Sequence, residues 1–97
     1  MSTTITIEII NKKGLHARAA AKFVKVVTGC NAEIMVKKLG HEGEEESPSV
    51  IGSSILGLLM LGADPGSMLH ITAEGNQEDE ALSALKELIE NRFGEPE

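Results

Sequence analysis

The sequence predicts an α+β domain in which helices cover one face of a mostly antiparallel sheet. Three observations carry this expectation. The segments "TITIEII" (4–10) and "SMLHITA" (67–73) alternate apolar and polar residues with a period of two, as half-buried strands do. Two longer segments, following Ala17 and Asn76, repeat apolar residues at helical spacing. The elements follow one another as strand, helix, strand, strand, short helix, strand, helix. With 97 residues, the chain is read as one domain spanning 1–97, just above the size at which a single core holds without disulfide or metal.

Each element has its own signal. In the first strand Ile5, Ile7 and Ile9 point one way and Thr6 and Glu8 the other, and "NKKG" then turns the chain. Ala20, Phe23, Val24 and Val27 form the apolar stripe of a helix starting at Ala17, with Arg18, Lys22 and Lys25 on its opposite flank and a stop near Thr28-Gly29. "AEIMVKK" supplies a strand with Ile34 and Val36 inward. The polar "LGHEGEEESPS" reads as a loop, and "SVI" as a short strand bracketed by Pro48 and Gly52. "SSILGLLMLG" forms a short helix capped by Ser53 or Ser54 and ended by Gly62, followed by the turn "ADPG". The next strand turns Leu69, Ile71 and Ala73 to one face. The last helix opens with Asn76 as its N-cap and acids in its first turn, then repeats Leu82, Leu85, Ile89 and Phe93 before Gly94.

Composition narrows the function. Two Phe, no Trp and no Tyr make the core aliphatic and leave no stacking platform for single-stranded nucleic acid; the net charge of −6 also argues against nucleic acid as a partner. The one cysteine, Cys30, excludes an internal disulfide and suits a reducing compartment, where it reads as a small half-buried apolar residue. No apolar run approaches a membrane span and "MSTTITIEII" lacks a basic n-region, so the expectation is a cytoplasmic protein without membrane insertion.

Charge is unevenly spread. Lys12, Lys13, Arg18, Lys22 and Lys25 lie between Ile9 and Ala32 without one acidic residue, so five of the nine Lys and Arg surround His16 in sequence. His16 sits where the first long helix begins. A helix start presents unpaired N–H groups and the positive end of its dipole, which favour a bound anion over a cation and leave the ring a lone pair. An imidazole with a free lone pair is a competent nucleophile, and a phosphoryl group on it would lie against those N–H groups and near Arg18. The alternative is a polar surface residue at a helix cap. No serine nucleophile, carboxylate dyad, Gly-rich phosphate loop or metal-ligand cluster competes elsewhere, and His41 and His70 have no chemical partner nearby in sequence.

"GLHARAAAKFVK", then "SSILGLLMLGADPGSMLHITAEG", then an amphipathic C-terminal helix together resemble HPr, the histidine phosphocarrier family of the bacterial phosphoenolpyruvate-dependent phosphotransferase system. The resemblance covers nearly the whole chain except about seven extra residues within 41–52. It implies an open-faced β-sandwich of four antiparallel strands under three helices. It further implies a carrier that turns over nothing alone and needs no cofactor: enzyme I phosphorylates His16 at Nδ1, Arg18 steadies the phosphate, and a IIA-type protein takes it on. Ser54 matches the serine that an HPr kinase/phosphorylase modifies in some bacteria. The "ARAAAKFVK" flavour resembles the alphaproteobacterial branch, where the system often regulates nitrogen or carbon metabolism instead of importing sugar.

Two residues depart from the family pattern. Ala19 replaces the usual proline, which adds an N–H beside those of Ala17 and Arg18 as a phosphate donor. Ser53 replaces the lysine that usually precedes the regulatory serine. Of Ile55, Leu56, Leu58, Leu59, Met60 and Leu61, more are apolar than one face of a short helix can bury, so Ile55, Leu56 and Leu59 are expected to join Lys22 and Lys25 in a docking patch for acidic partners. The run Glu44, Glu45, Glu46 reads as a solvated loop or as a screen against acidic non-partners. The chain is expected to be a monomer. A second reading keeps the patch and Ser54 but makes the protein a purely regulatory binding module with an idle His16.

Overall fold

The computed structural model describes residues 2–40 and 46–97. Its elements are β1 (Ser2–Glu8), α1 (Ala17–Thr28), β2 (Glu33–Lys38), β3 (Val50–Ile51), α2 (Ile55–Met60), β4 (Met68–Glu74) and α3 (Glu78–Glu90), followed by a 3₁₀ turn at Arg92–Gly94. The four strands form one sheet in the order β1-β4-β2-β3, every neighbouring pair antiparallel. Hence β1 and β2 run parallel on either side of β4 and are joined through α1, while β3 and β4 flank β2 and are joined through α2. The two crossovers interleave, and α3 lies against β1 and β4 and beside α1. This is the open-faced sandwich that the resemblance implies.

Register decides which side chains face the helices. Ile7 sits opposite Leu69 and Ile5 opposite Ile71, while across β4 Val36 meets Ile71 and Ile34 meets Ala73, so one face of the sheet carries a continuous aliphatic row. The other face presents Thr4 beside Thr72, with Thr6 and Lys37 on either side of His70, and stays half open to solvent. Ala20, Phe23 and Val27 of α1, Leu58 of α2, and Leu82, Leu85 and Ile89 of α3 close the core over that row. Cys30 is half-buried, as the sequence reading has it.

Three details differ from the sequence reading. The last helix takes its N-cap from Gln77 rather than Asn76; Gln77 Oε1 accepts the Asn31 N–H at 2.7 Å and its amide donates to Glu80 at 2.9 Å, so the longer side chain ties the turn to the preceding loop. That helix also stops at Glu90. Phe93 keeps the burial its spacing predicts, but reaches the core from a left-handed backbone, φ 54°, as does Arg92. The third strand shrinks to two residues, losing Ser49 next to Pro48; at its other end Gly52 passes so close to Ile34 that a Cβ there would lie 2.7 Å from its Cγ2. His41, Glu44 and Glu45 lie outside the described residues, whereas Glu46 pairs with Lys37 at 2.8 Å.

The approach to α1 is built on a close contact. Residues 9–15 are laced to the α2–β4 connection by Ile9 N–H to Ser67 O and Gly66 N–H to Ile9 O, both 2.8 Å, and by Leu15 N–H to Ala63 O at 2.9 Å. Gly14 sits in this lacing at φ 68°, where a Cβ would fall 2.6 Å from the Ala63 carbonyl oxygen. Gly62 has a similar φ, 61°, with open space around it. Gly62→Ala should therefore cost only the left-handed backbone, about 1–2 kcal/mol, whereas Gly14→Ala adds a backbone collision and should exceed about 3 kcal/mol. Urea unfolding of the two variants checks the difference, and equal losses would show that the collision is relieved elsewhere.

Candidate functional site

His16 is the N-cap of α1, with extended backbone (φ −90°, ψ −178°) and a ring that makes no capping bond. Its carbonyl accepts the Ala20 N–H at 2.8 Å, the first bond of the helix. Among the described residues, the N–H groups of Ala17, Arg18 and Ala19 find no acceptor. The ring therefore stands beside an anion seat that its own side chain does not fill. Asn11, fully buried, fixes the turn before it: its Nδ2 donates to the Gly14 carbonyl at 2.8 Å, and the Gly14 N–H returns to the Asn11 carbonyl at 3.1 Å.

The segment around His16 lacks acids in sequence, yet the fold brings one to the ring. The carboxylate of Glu95, 79 positions away, bonds the His16 Nε2 through Oε2 and accepts the Asn11 Nδ2 on Oε1 at 2.9 Å. Its side chain is only 8% exposed against 26% for His16. The Asn11 amide, then the His16 ring and the charge of Lys13, hold the Glu95 carboxyl below its ordinary range against the opposing effect of burial, so it is ionised at neutral pH. Among the described residues the other ring nitrogen, Nδ1, has no hydrogen-bond partner.

The remaining residues divide by position. Arg18 is exposed and lines a shallow depression with Lys12, Lys13, Glu95, Pro96 and Glu97. Lys12 is paired with the tail, its Nζ 3.3 Å from Glu97. Lys22 is half-buried and its ammonium donates to the Phe93 carbonyl at 2.5 Å, so it anchors the C-terminal turn; Lys25 is exposed. On α2, which packs against α1, Leu58 and, at the C-cap, Leu61 enter the core while Ile55, Leu56, Leu59 and Met60 are 41, 70, 38 and 76% exposed. Ser54 caps α2, its Oγ accepting the Gly57 N–H at 3.0 Å. His70 is remote from all of this, on the sheet between Thr6 and Lys37. No cluster of metal-binding side chains occurs among the described residues, and none of the helices there is long and apolar enough to cross a membrane.

Glu95 and Asn11 are the site residues that sequence reasoning misses. Their contact spans 84 positions and carries no local periodicity. The one available signal is complementarity: two acids in the terminal "EPE" against five cations around His16.

The comparisons agree with one another. The family model described as "PTS HPr component phosphorylation site" matches residues 3–91. The phosphocarrier protein HPr of Pseudomonas aeruginosa is 50% identical over 93 residues, which cover 96% of this chain and 97% of that one. The phosphocarrier protein NPr of Escherichia coli is 37% identical over 95 residues, 98% of this chain and 99% of that one. Among solved structures, HPr of Thermoanaerobacter tengcongensis superposes with a TM-score of 0.85 at 41% identity, covering 98% and 99% of the two chains. With a helix start left open beside an unpaired ring nitrogen, and matches that run almost from end to end, the chain belongs to the HPr family of phosphocarrier proteins of the phosphotransferase system.

Proposed function

We propose that His16 is the phosphoryl acceptor, taking phosphate on Nδ1 from phosphorylated enzyme I and yielding it to a IIA-type protein. The observation that carries this reading is the conjunction at residue 16: among the described residues, an Nδ1 without a partner beside three backbone donors without acceptors. Phosphoryl transfer asks a carrier for position and charge stabilisation and little else. Arg18, on the exposed flank of the same first turn, supplies a fork of donors for the phosphate. Enzyme I and phosphoenolpyruvate should add one acid-labile phosphate, read by mass spectrometry. His16→Ala should accept none, while His70→Ala accepts as the parent does. Arg18→Ala should slow transfer about tenfold or more, as the loss of a charged hydrogen bond implies, with thermal stability unchanged. Labelling retained in His16→Ala would overturn the assignment.

The partner surface in this reading is the exposed apolar row of α2 with a basic rim. Ile55, Leu56 and Leu59 supply the centre and Lys25 the rim; Lys22 contributes less, because its ammonium is already engaged by Phe93. Phosphate on Ser54 would put close to two negative charges beside that centre and repel acidic partners. Ser54→Asp should therefore cut the rate of phosphorylation by enzyme I, with smaller effects from Ser53→Asp and Ser49→Asp. Equal effects from all three would remove Ser54 from the regulatory role.

Ala19 gives the site a donor that the family's usual proline lacks. Its side chain is fully buried and its N–H has no acceptor among the described residues. A charge-assisted bond from that N–H to the phosphate is worth about 1.5–3 kcal/mol when well formed. Ala19→Pro should leave stability within about 1 kcal/mol of the parent while the phosphorylated His16 hydrolyses sooner. An unchanged phosphohistidine lifetime would show that this N–H does not touch the phosphate.

A further inference from the structure

The C-terminal turn is held against the His16 loop from several directions. Phe93 is buried in the core, Lys22 donates to its carbonyl at 2.5 Å, the Glu95 N–H bonds Arg92 O at 2.9 Å, and the Lys12 N–H bonds Glu97 O at 3.0 Å. These contacts fix the backbone on either side of Glu95. Its two carboxylate oxygens are then divided, one to the buried Asn11 amide and one to the His16 Nε2. Asn11 is committed to this arrangement at a cost: both bonds run from Nδ2, and its Oδ1 is buried without a partner among the described residues.

We infer that Glu95 is a positioning residue for phosphoryl transfer, holding the His16 ring with hydrogen on Nε2 so that Nδ1 presents its lone pair outward. The inference rests on His16 being the acceptor. In the step itself the Nδ1 lone pair forms the new N–P bond while the donor's own bond to phosphorus breaks and its leaving group departs with that electron pair. The hydrogen on Nε2 stays in place and no proton changes hands. The acceptor ring gains positive charge as the bond forms, and the carboxylate already at Nε2 meets that charge. When the phosphoryl group leaves for the next carrier, the electron pair of the N–P bond returns to Nδ1 and the ring loses the positive charge it had gained, while the same contact keeps its orientation.

The test uses the full chain with ¹⁵N-labelled histidine, and enzyme I with phosphoenolpyruvate as the phosphate source. The parent should show a hydrogen-bonded His16 Nε2–H resonance, downfield and slow to exchange. Glu95→Gln keeps an oxygen acceptor of nearly the same shape without the charge, so the resonance should persist while transfer slows. Glu95→Ala removes both; the resonance should vanish, and the saturated rate of phosphorylation should fall about tenfold or more, the scale of a charge-assisted bond, with the half-saturating concentration nearly unchanged. A Glu95→Ala chain that accepts phosphate as fast as the parent overturns the proposal, and one that accepts it faster shows the tail to be a cover over the ring instead. A parent that takes up no phosphate overturns the acceptor reading, and the imidazole spectrum still decides separately whether Glu95 holds the ring.

Discussion

The turn at Gly14 comes so close to Ala63 that only a residue without Cβ fits, and the geometry of the whole functional end follows from that approach. It seats Leu15 N–H on the Ala63 carbonyl, which fixes where α1 begins and therefore which residue becomes its cap. Because β4 runs between β1 and β2, the chain entering α1 and the chain leaving α2 for β4 meet at this one place. Local turn chemistry and global topology thus determine the same few ångströms of backbone.

Electrostatics then works against the average. A chain of net charge −6 gathers five of its nine cations in one 24-residue stretch (9–32) and leaves the first turn of α1 without an acid. Most helices gain from acids there, as α3 does with Glu78, Asp79 and Glu80. Omitting them from α1 leaves its dipole end available to a group that comes and goes. The acid that does arrive, Glu95, bonds the ring and not the helix donors, so the seat itself stays open.

Most of the fold was legible because it rests on periodicity. The alternation of Ile7 and Ile9, with Ile5 partly buried beside them, and of Leu69, Ile71 and Ala73, and the helical spacing of Phe23 and Val27 or Leu85 and Ile89, each survive in the burial of those side chains. What periodicity reports is which way a side chain faces. It is silent on conformation, which is why Phe93 was legible as core but not as a left-handed residue past the end of its helix. It is equally silent on contacts made at long range. His16 and Arg18 stand out from the sequence because the helix start beside them is local, whereas Glu95 and Asn11 acquire their meaning only when α3 docks and the tail folds back.

The cap position shows what the site gives up in stability. A serine, threonine, aspartate or asparagine at residue 16 would bond the open N–H groups and stabilise α1 by about 1 kcal/mol. It would also occupy the seat permanently. Histidine at the cap forgoes that bond, since its ring is turned to Glu95 and its Nδ1 has no partner among the described residues. The structure recovers rigidity through the buried Asn11 amide, the Lys22 anchor on Phe93 and the Gly14 approach, none of which touches the open donors. Stability is therefore supplied behind the ring and withheld in front of it, so that under the proposed acceptor role of His16 an anion arrives and leaves without the fold having to change.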